Sequence, residues 1–271
     1  MAIAQQAFAT SANAAATSHT FSVTVSSGTS LGLLVAIEVG LDNSATISGL
    51  PTFNGANMAL VGVDPGSAFA GLVAFYYKAN PAVTTANVAV TLSVSAAARC
   101  TAWVLTGAEQ STPPTYLGGT GGVTTVWSWS STVGAFIAVA IKRGGTVTWT
   151  DGGGLTADNN NMTVASAGTG LIDTIAAGHL IATTTSAAPQ YTLSGGDSST
   201  NAFGSVQWLA ATGAAATRRR PQVLIPSRKK KNAISRIVTR IWAGPPTVVD
   251  SPVVTPGIGG WYWKIFRKRR G

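Results

Sequence analysis

The feature that most constrains the fold is a series of short apolar runs separated by clusters of Gly, Asn, Asp and Ser. Residues 21–25 alternate between apolar and polar side chains, and 31–39 is an almost continuous apolar run. Further runs at 71–77, 86–94 and 100–106 follow at hairpin-like intervals, and β-branched and aromatic residues dominate them. Alternation indicates half-buried strands, and a short continuous run indicates a strand covered on both faces. Because helical spacing is almost absent here, the sequence predicts an all-β, antiparallel fold.

The second part of this strand-rich region resembles the first. The segment 126–141 is similar to 21–37, and the segment 206–213 is similar to 101–107, where a Trp strand ends in a Thr-Gly turn. We therefore predict one jelly-roll-like β-sandwich body at residues 21–213, with a weak internal repeat of about 21–107 and 126–213. Residues 1–20 are predicted to be an N-terminal extension. Two small sandwiches in tandem are the alternative.

The charge of the chain is divided sharply by position. The first 217 residues carry four cationic and eight acidic side chains, whereas residues 218–271 carry fourteen cationic side chains and one acid, Asp250. The formal charges of these two regions are therefore −4 and +13, which together give the net charge of +9. Two regions of opposite character meet near residue 215, and residues 214–271 are predicted to form a basic arm.

The arm has three kinds of segment. Two basic clusters are separated by prolines, which exclude a continuous helix. Residues 232–242 then place apolar side chains at helical spacing, which predicts one short amphipathic helix that ends at Gly244. Pro245–Pro256 is predicted to be extended. The arm residues predicted to contact a partner are Arg218, Arg219, Arg220, Arg228, Lys229, Lys230, Lys231, Ile234, Ile237, Ile241, Trp242, Trp261, Trp263, Phe266, Arg267, Lys268, Arg269 and Arg270.

The arm cannot fold by packing against itself. Ordering a segment of this length costs roughly 50–100 kcal/mol at about 1–2 kcal/mol per residue. Offsetting that cost needs roughly 2,000–4,000 Å² of apolar burial at about 25 cal/mol per Å². One short helix and a Pro-rich strand do not supply such an area, so an ordered arm needs a partner. Docking on protein, stacking and phosphate contact with nucleic acid, and contact with a membrane all fit its composition.

One segment of the body resembles a known family. Phe53-Asn-Gly55 is followed by Leu60, by Ala-Phe-Tyr-Tyr at 74–77 and by Asn-Pro-Ala-Val-Thr-Thr-Ala-Asn-Val-Ala-Val-Thr at 80–91. This pattern is similar to a jelly-roll-like β-sandwich family of bacteriophage virion structural proteins. In that family an Asn-Pro-Pro-Ala-Gly-Thr-like turn connects a Tyr strand to a Val-x-Val-Thr strand. Here Ala82 replaces the second Pro and Thr84 replaces the Gly, so the turn differs. The resemblance implies the fold and a place in a virus particle, and it brings no catalytic residue.

No residues point to an enzyme, and we predict no catalytic site, metal or cofactor. Histidines occur only at His19 and His179, and neither has a sequence context typical of a general base. The single cysteine, Cys100, is predicted to be a packed, inert thiol. The Asp/Asn/Gly stretches at 151–161 offer oxygen ligands for Ca²⁺ but are predicted to be surface turns. The tryptophans at alternating strand positions, from Trp103 to Trp208, are predicted to pack in the core rather than on glycans.

These observations predict a structural virion protein that docks on neighbouring subunits through its arm. It would be a capsid decoration or cement protein, or a head–tail or tail component, and we expect it to form homo-oligomers. Contact of the arm with nucleic acid or membrane stays open, and no small-molecule substrate is expected. The alternative is a β-sandwich module that binds a carbohydrate or host surface and is anchored to the particle by the arm.

Overall fold

The structure is a computed structural model that describes residues 2–12, 14–40, 45–65, 71–118, 124–145, 148–165, 172–194 and 201–212. All regular elements among these residues are β-strands, and the strand pairings are antiparallel. The predicted all-β, antiparallel fold is therefore confirmed. The predicted helix at 232–242 and the rest of the arm lie outside the described residues.

The strands follow one another in chain order with short connections. They are β1 (Ala4–Thr10), β2 (Ala14–Thr24), β3 (Gly32–Val39), β4 (Thr52–Phe53), β5 (Ala56–Asn57), β6 (Ala59–Asp64), β7 (Leu72–Ala79), β8 (Thr85–Thr106), β9 (Thr115–Gly118), β10 (Thr124–Val126), β11 (Trp129–Ser130), β12 (Phe136–Gly144), β13 (Thr148–Gly152), β14 (Thr156–Ala165), β15 (Ile172–Ile181), β16 (Ser186–Ala187), β17 (Gln190–Ser194) and β18 (Asn201–Trp208).

The 22-residue strand β8 connects two sets of strands. Its first part pairs with β2 and β4, and its second part pairs with β1 and β3. The strand orders are therefore β5-β4-β8-β2 and β1-β8-β3-β7-β6. The prediction of two separate strands at 86–94 and 100–106 is wrong. The residues between them, Ser-Ala-Ala-Ala-Arg at 95–99, include no Gly, Pro, Asn or Asp, so nothing there forms a tight turn.

The strand order is repeated along the chain. We refer to residues 2–106 as the N-terminal half and to residues 115–208 as the C-terminal half. The order β9-β18-β12-β15-β14 in the C-terminal half corresponds to β1-β8-β3-β7-β6, and β10-β17-β13 corresponds to β2-β8-β4. β3 and β12 hold equivalent positions, and they carry the similar apolar runs at 33–37 and 137–141.

Residues Met1–Thr212 form one compact unit. The residues predicted to be an N-terminal extension contribute β1 and the first part of β2, and both of these strands pair with β8. They therefore belong to the same sheet as the strands that follow. The boundaries of the predicted domains, including the start of the arm, stay a prediction.

The buried side chains form three main clusters. The N-terminal cluster and the C-terminal cluster each draw on one half, and the shared cluster combines strands from both halves. Successive side chains of a strand point to opposite faces. Along β3, Val35 belongs to the N-terminal cluster and Leu34 to the shared cluster; along β12, Val139 belongs to the C-terminal cluster and Ala138 to the shared cluster. All residues of β3 are buried because both of its faces are covered.

Two tryptophans pack across the shared cluster. Trp208 of β18 lies over Gly32 of β3, where a Cβ atom would come within 2.7 Å of the indole ring. Tyr77 of β7 meets the Trp208 ring edge to face, with centroids 5.5 Å apart. Trp103 of β8 packs against Phe136 of β12 with centroids 6.3 Å apart. Each half therefore contributes one tryptophan that packs against residues of the other half.

Candidate functional site

The predicted partner-binding residues of the arm, from Arg218 to Arg270, all lie outside the described residues. The structure therefore neither brings them together nor separates them. The polar groups of the described residues can be examined for a functional site of their own. Two groups of interest lie close to the shared cluster; one contains the largely buried carboxyl of Asp158 and the other contains the fully buried carboxyl of Glu38.

The first group, which we call the polar cluster, consists of Trp103, Phe136, Asp158 and His179. Oδ2 of Asp158 accepts hydrogen bonds from Nε1 of Trp103 at 2.7 Å and, with the tautomer protonated on Nδ1, from His179 at 2.6 Å. The ring of Phe136 stacks on the imidazole of His179, with centroids 5.3 Å apart and planes inclined by 14°. The Trp103 bond joins the N-terminal half to the C-terminal half.

A β-bulge places Asp158 in this position. In the pairing of β14 with β15, Ala157 faces Gly178 and Asn159 faces Ala177, so Asp158 is an additional residue without a partner opposite. Such a residue bends the strand and redirects its side chain. The prediction that 158–161 forms a surface turn is wrong, because these residues belong to β14. Two N–H donors to the Asp158 carboxylate offset the low strand preference of Asp.

The polar cluster has part of the chemistry of an acid–base site. A carboxylate that accepts a hydrogen bond from Nδ1 fixes the tautomer of a histidine and orients its other nitrogen. The side chains of His179 and Asp158 are 14% and 9% exposed, so solvent reaches them only slightly. Covalent catalysis needs at least a nucleophile within hydrogen-bonding reach of a general base. Within the described part of the chain, no Ser, Thr or Cys side chain is hydrogen-bonded to His179, so this requirement is not met there. The arrangement is suited to holding the two halves together.

We expect Asp158→Ala to lower the free energy of unfolding by about 1–3 kcal/mol, because Trp103 and His179 would each lose a buried acceptor. Urea denaturation at neutral pH measures this loss. The matched control is Asn87→Ala in β8, where the side chain is exposed and a change within about 0.5 kcal/mol is expected. Equal effects of the two substitutions would contradict a bonding role for Asp158.

The second group surrounds Glu38, which is fully buried in β3 and lies opposite Arg99 of β8. Burial raises the pKa of Glu38 to about 8, and the charge of Arg99 and the backbone amide of Glu38 lower it in part. Beyond that amide, no described group donates a hydrogen bond to either carboxyl oxygen. Lys142 holds the equivalent position in β12 and is also buried. Because its pKa is raised to about 8, most of Glu38 is protonated in the folded protein at neutral pH.

His19 and Cys100, the remaining candidates from the sequence, lie in surroundings typical of residues with a structural role. Nε2 of His19 lies 3.1 Å from the carbonyl oxygen of Ala16 and 3.2 Å from that of Ala96. The Cys100 thiol is buried, as predicted, and burial followed by the nearby Glu38 raises its pKa to about 12. Such a thiol forms almost no thiolate, so it is a poor nucleophile.

The tryptophans and the acidic residues also lack a binding geometry in the described part of the chain. The prediction that the tryptophans pack in the core is confirmed for Trp103, Trp127, Trp129, Trp149 and Trp208, all of which are buried. No group of three or more His, Cys, Asp or Glu side chains among the described residues could hold a metal ion. The described residues also contain no helix that could span a membrane.

The polar cluster could not have been found from the sequence. The hydrogen bonds join residues that are 21 and 55 positions apart, and the bulge that aims Asp158 leaves no local pattern. No protein-family model, no curated protein and no solved structure matches this chain. Its function is therefore inferred from the chemistry of the chain itself.

Proposed function

We propose that the protein is a structural component of a virus particle that docks on neighbouring subunits through its basic arm. The observation that carries this proposal is the division of formal charge, with −4 on residues 1–217 and +13 on residues 218–271. Opposite charges on two parts of one chain favour contact between the arm of one copy and the acidic part of another. Homo-oligomers in the particle are therefore the proposed state.

The compact unit has a hydrophobic core of its own, which supports a docking role for the arm that is separate from the folding of this unit. Among the residues that the structure describes, the buried members of the three main clusters lie between Ile3 and Trp208. The finer fold proposed here is a jelly-roll-like β-sandwich, and the passage of β8 between two sets of strands is typical of such an architecture.

The chemistry of the described residues also favours a structural role over a glycan-binding one. The five tryptophans among the described residues, whose rings could otherwise stack on sugars, are buried in the protein interior. In the polar cluster, Trp103 of the N-terminal half donates a hydrogen bond to Asp158 of the C-terminal half. The resemblance of residues 53–91 to bacteriophage virion proteins supports the viral setting. A capsid decoration protein, a cement protein or a head–tail or tail component each fits this proposal.

Removal of the arm is expected to abolish binding to particles and leave the compact unit folded. The full chain and a chain ending at Gly213 are sedimented at low and high salt, alone and with purified virus particles. Only the full chain should co-sediment, and nuclease treatment should leave its binding unchanged. High salt should weaken the binding, because ions screen exposed charges. Protection of the Cys100 thiol against alkylation reports whether the shortened chain is folded.

Two outcomes would contradict the proposal. If both chains bind particles equally, the arm is not the docking element. If the full chain sediments only with nucleic acid or with liposomes, the arm has a partner of another class, and the structural role argued here is wrong.

A further inference from the structure

Three polar side chains of the N-terminal half lie next to one another in the sheet. Glu38 of β3 is directly opposite Arg99 of β8, and Thr101 is two residues further along β8. Side chains that are opposite in an antiparallel pair have Cβ atoms about 4.5–5.5 Å apart, and diagonal neighbours are no more than about 7–8 Å apart. The carboxyl, the guanidinium and the hydroxyl are therefore within reach of a single small bound molecule.

These side chains point toward the C-terminal half. Residues two positions apart in a strand lie on the same face. Thr101 therefore shares the face of Trp103, and Glu38 shares the face of Ala36. Trp103 and Ala36 both belong to the shared cluster, so this face is the one that packs between the two halves.

The C-terminal half covers the polar group mainly with apolar side chains. β12 packs against β3 and contributes Ala138 and Ala140 to the shared cluster. Ile175 of β15 packs against β8. None of these three side chains can form a hydrogen bond. Lys142 is buried in β12, and its amine is not hydrogen-bonded to either carboxyl oxygen of Glu38.

Several polar atoms of the group are buried without a partner. Apart from the amide of Glu38 itself, no described group is hydrogen-bonded to Oε1 or Oε2 of Glu38, to Nε of Arg99 or to Oγ1 of Thr101. Glu38 and Thr101 are both fully buried, so bulk solvent does not reach them. Nη2 of Arg99 donates to the hydroxyl of Thr10 at 2.8 Å, which holds the end of the guanidinium and leaves Nε beside Glu38 and Thr101. Buried polar atoms of this kind are commonly hydrogen-bonded to a buried water molecule.

We propose that Glu38, Arg99 and Thr101 form a buried site that binds one water molecule between the two halves. The Nε–H group of Arg99 donates to the water, the water donates to a carboxyl oxygen of Glu38, and the hydroxyl of Thr101 makes the third hydrogen bond. A buried water typically makes about three such bonds. Water fits the site because the site offers both a donor and an acceptor. The acceptor oxygen of Glu38 would repel an anion, and the charge of Arg99 would repel a cation.

The sign of a stability change tests for the bound water. Thr101→Val in the full chain replaces the hydroxyl by a methyl group and keeps the branched shape. If the hydroxyl had no partner, its removal would raise the urea midpoint, because an unpaired buried polar group is unfavourable. With water bound, the substitution removes one of the hydrogen bonds of the water, so the midpoint should fall. The matched control is Thr20→Val, the same change at an exposed position of β2, which should leave the midpoint nearly unchanged. A midpoint that rises or stays the same in Thr101→Val would overturn the proposal.

Crystal structures of the full chain and its variants give the direct test. Density for one water is expected at about 2.7–3.2 Å from both Oγ1 of Thr101 and Nε of Arg99. This density should disappear in Thr101→Val and remain in Glu38→Gln, because the side-chain amide of glutamine still has an acceptor oxygen. Direct hydrogen bonds from Arg99 or Lys142 to the Glu38 carboxyl, with no water between them, would show that the site does not exist.

Discussion

Glu38→Gln is expected to stabilise the protein by about 4–5 kcal/mol at pH 9 and by only about 1 kcal/mol at pH 5. The pKa of Glu38 is raised from 4.5 to about 8 in the folded state because the carboxyl is fully buried. An uncharged amide at this position resembles the protonated acid that the folded protein retains at low pH. The substitution therefore removes only the cost of a buried negative charge.

The sign follows from proton binding in the two states. Between pH 4.5 and about 8 the unfolded chain has released the proton of Glu38, whereas the folded chain still holds it. The folded state binds more protons in this window, so stability falls as the pH rises. The favourable contribution is fully present below pH 4.5 and is lost as the pH rises through about 8. Urea denaturation midpoints of the unmodified chain and of Glu38→Gln, measured at unit intervals from pH 5 to pH 9, provide the test.

Glu109→Gln is the matched control for this experiment. It makes the same chemical change at a carboxyl whose pKa is lowered to about 2 by bonds from Ser111, Thr212 and Gln110. That carboxyl is ionised throughout the range from pH 5 to pH 9, so its replacement should shift stability by the same amount at every pH. If the Glu38→Gln curve also runs parallel to that of the unmodified chain, Glu38 does not titrate in the window and the argument is wrong.

The strands could be predicted from the sequence wherever a local pattern decides the structure. The continuous apolar run at 31–39 predicts a strand covered on both faces, and β3 is buried throughout. The Asn54-Gly55 pair forms the turn between β4 and β5, with φ values of 50° and 73°. Asn and Gly tolerate such values, so a two-residue hairpin could be expected there. By contrast, the sequence does not indicate the continuity of β8, because the Ala-rich stretch in its middle has no strand pattern of its own.

The polar cluster and the contact of Glu109 with Thr212 could not be predicted because long-range pairing creates them. Asp158 lies in an Asp/Asn-rich stretch whose composition is typical of turns, and only the pairing of β14 with β15 and the contact with Trp103 give it a role. In the same way, Glu109 meets Thr212 across 103 residues of sequence. Local composition determines which residues can form strands, whereas the partners of a buried carboxyl depend on sheet order.

Trp208→Ala is expected to lower the free energy of unfolding by about 3–5 kcal/mol, the usual cost of removing a large buried aromatic ring. Trp208 packs over Gly32, contacts Tyr77 and donates from Nε1 to the carbonyl oxygen of Glu109 at 2.8 Å. Because these partners do not belong to the C-terminal half, the loss should destabilise both halves together. A single cooperative transition is therefore expected, with a lower denaturant midpoint.

Cys100 provides the probe that distinguishes one cooperative unit from two. It is the only cysteine of the chain, it is buried in the N-terminal half, and a thiol reagent reaches it only after that half has opened. If the halves unfold together, Trp208→Ala should accelerate labelling of Cys100 under native conditions, and the logarithm of the labelling rate should rise in proportion to the lost stability. The control Val133→Ala also lies in the C-terminal half, but its side chain is 57% exposed, so labelling should change little. If Trp208→Ala opens the C-terminal half while Cys100 stays protected, the shared cluster does not couple the halves, and they are independent sandwiches in tandem.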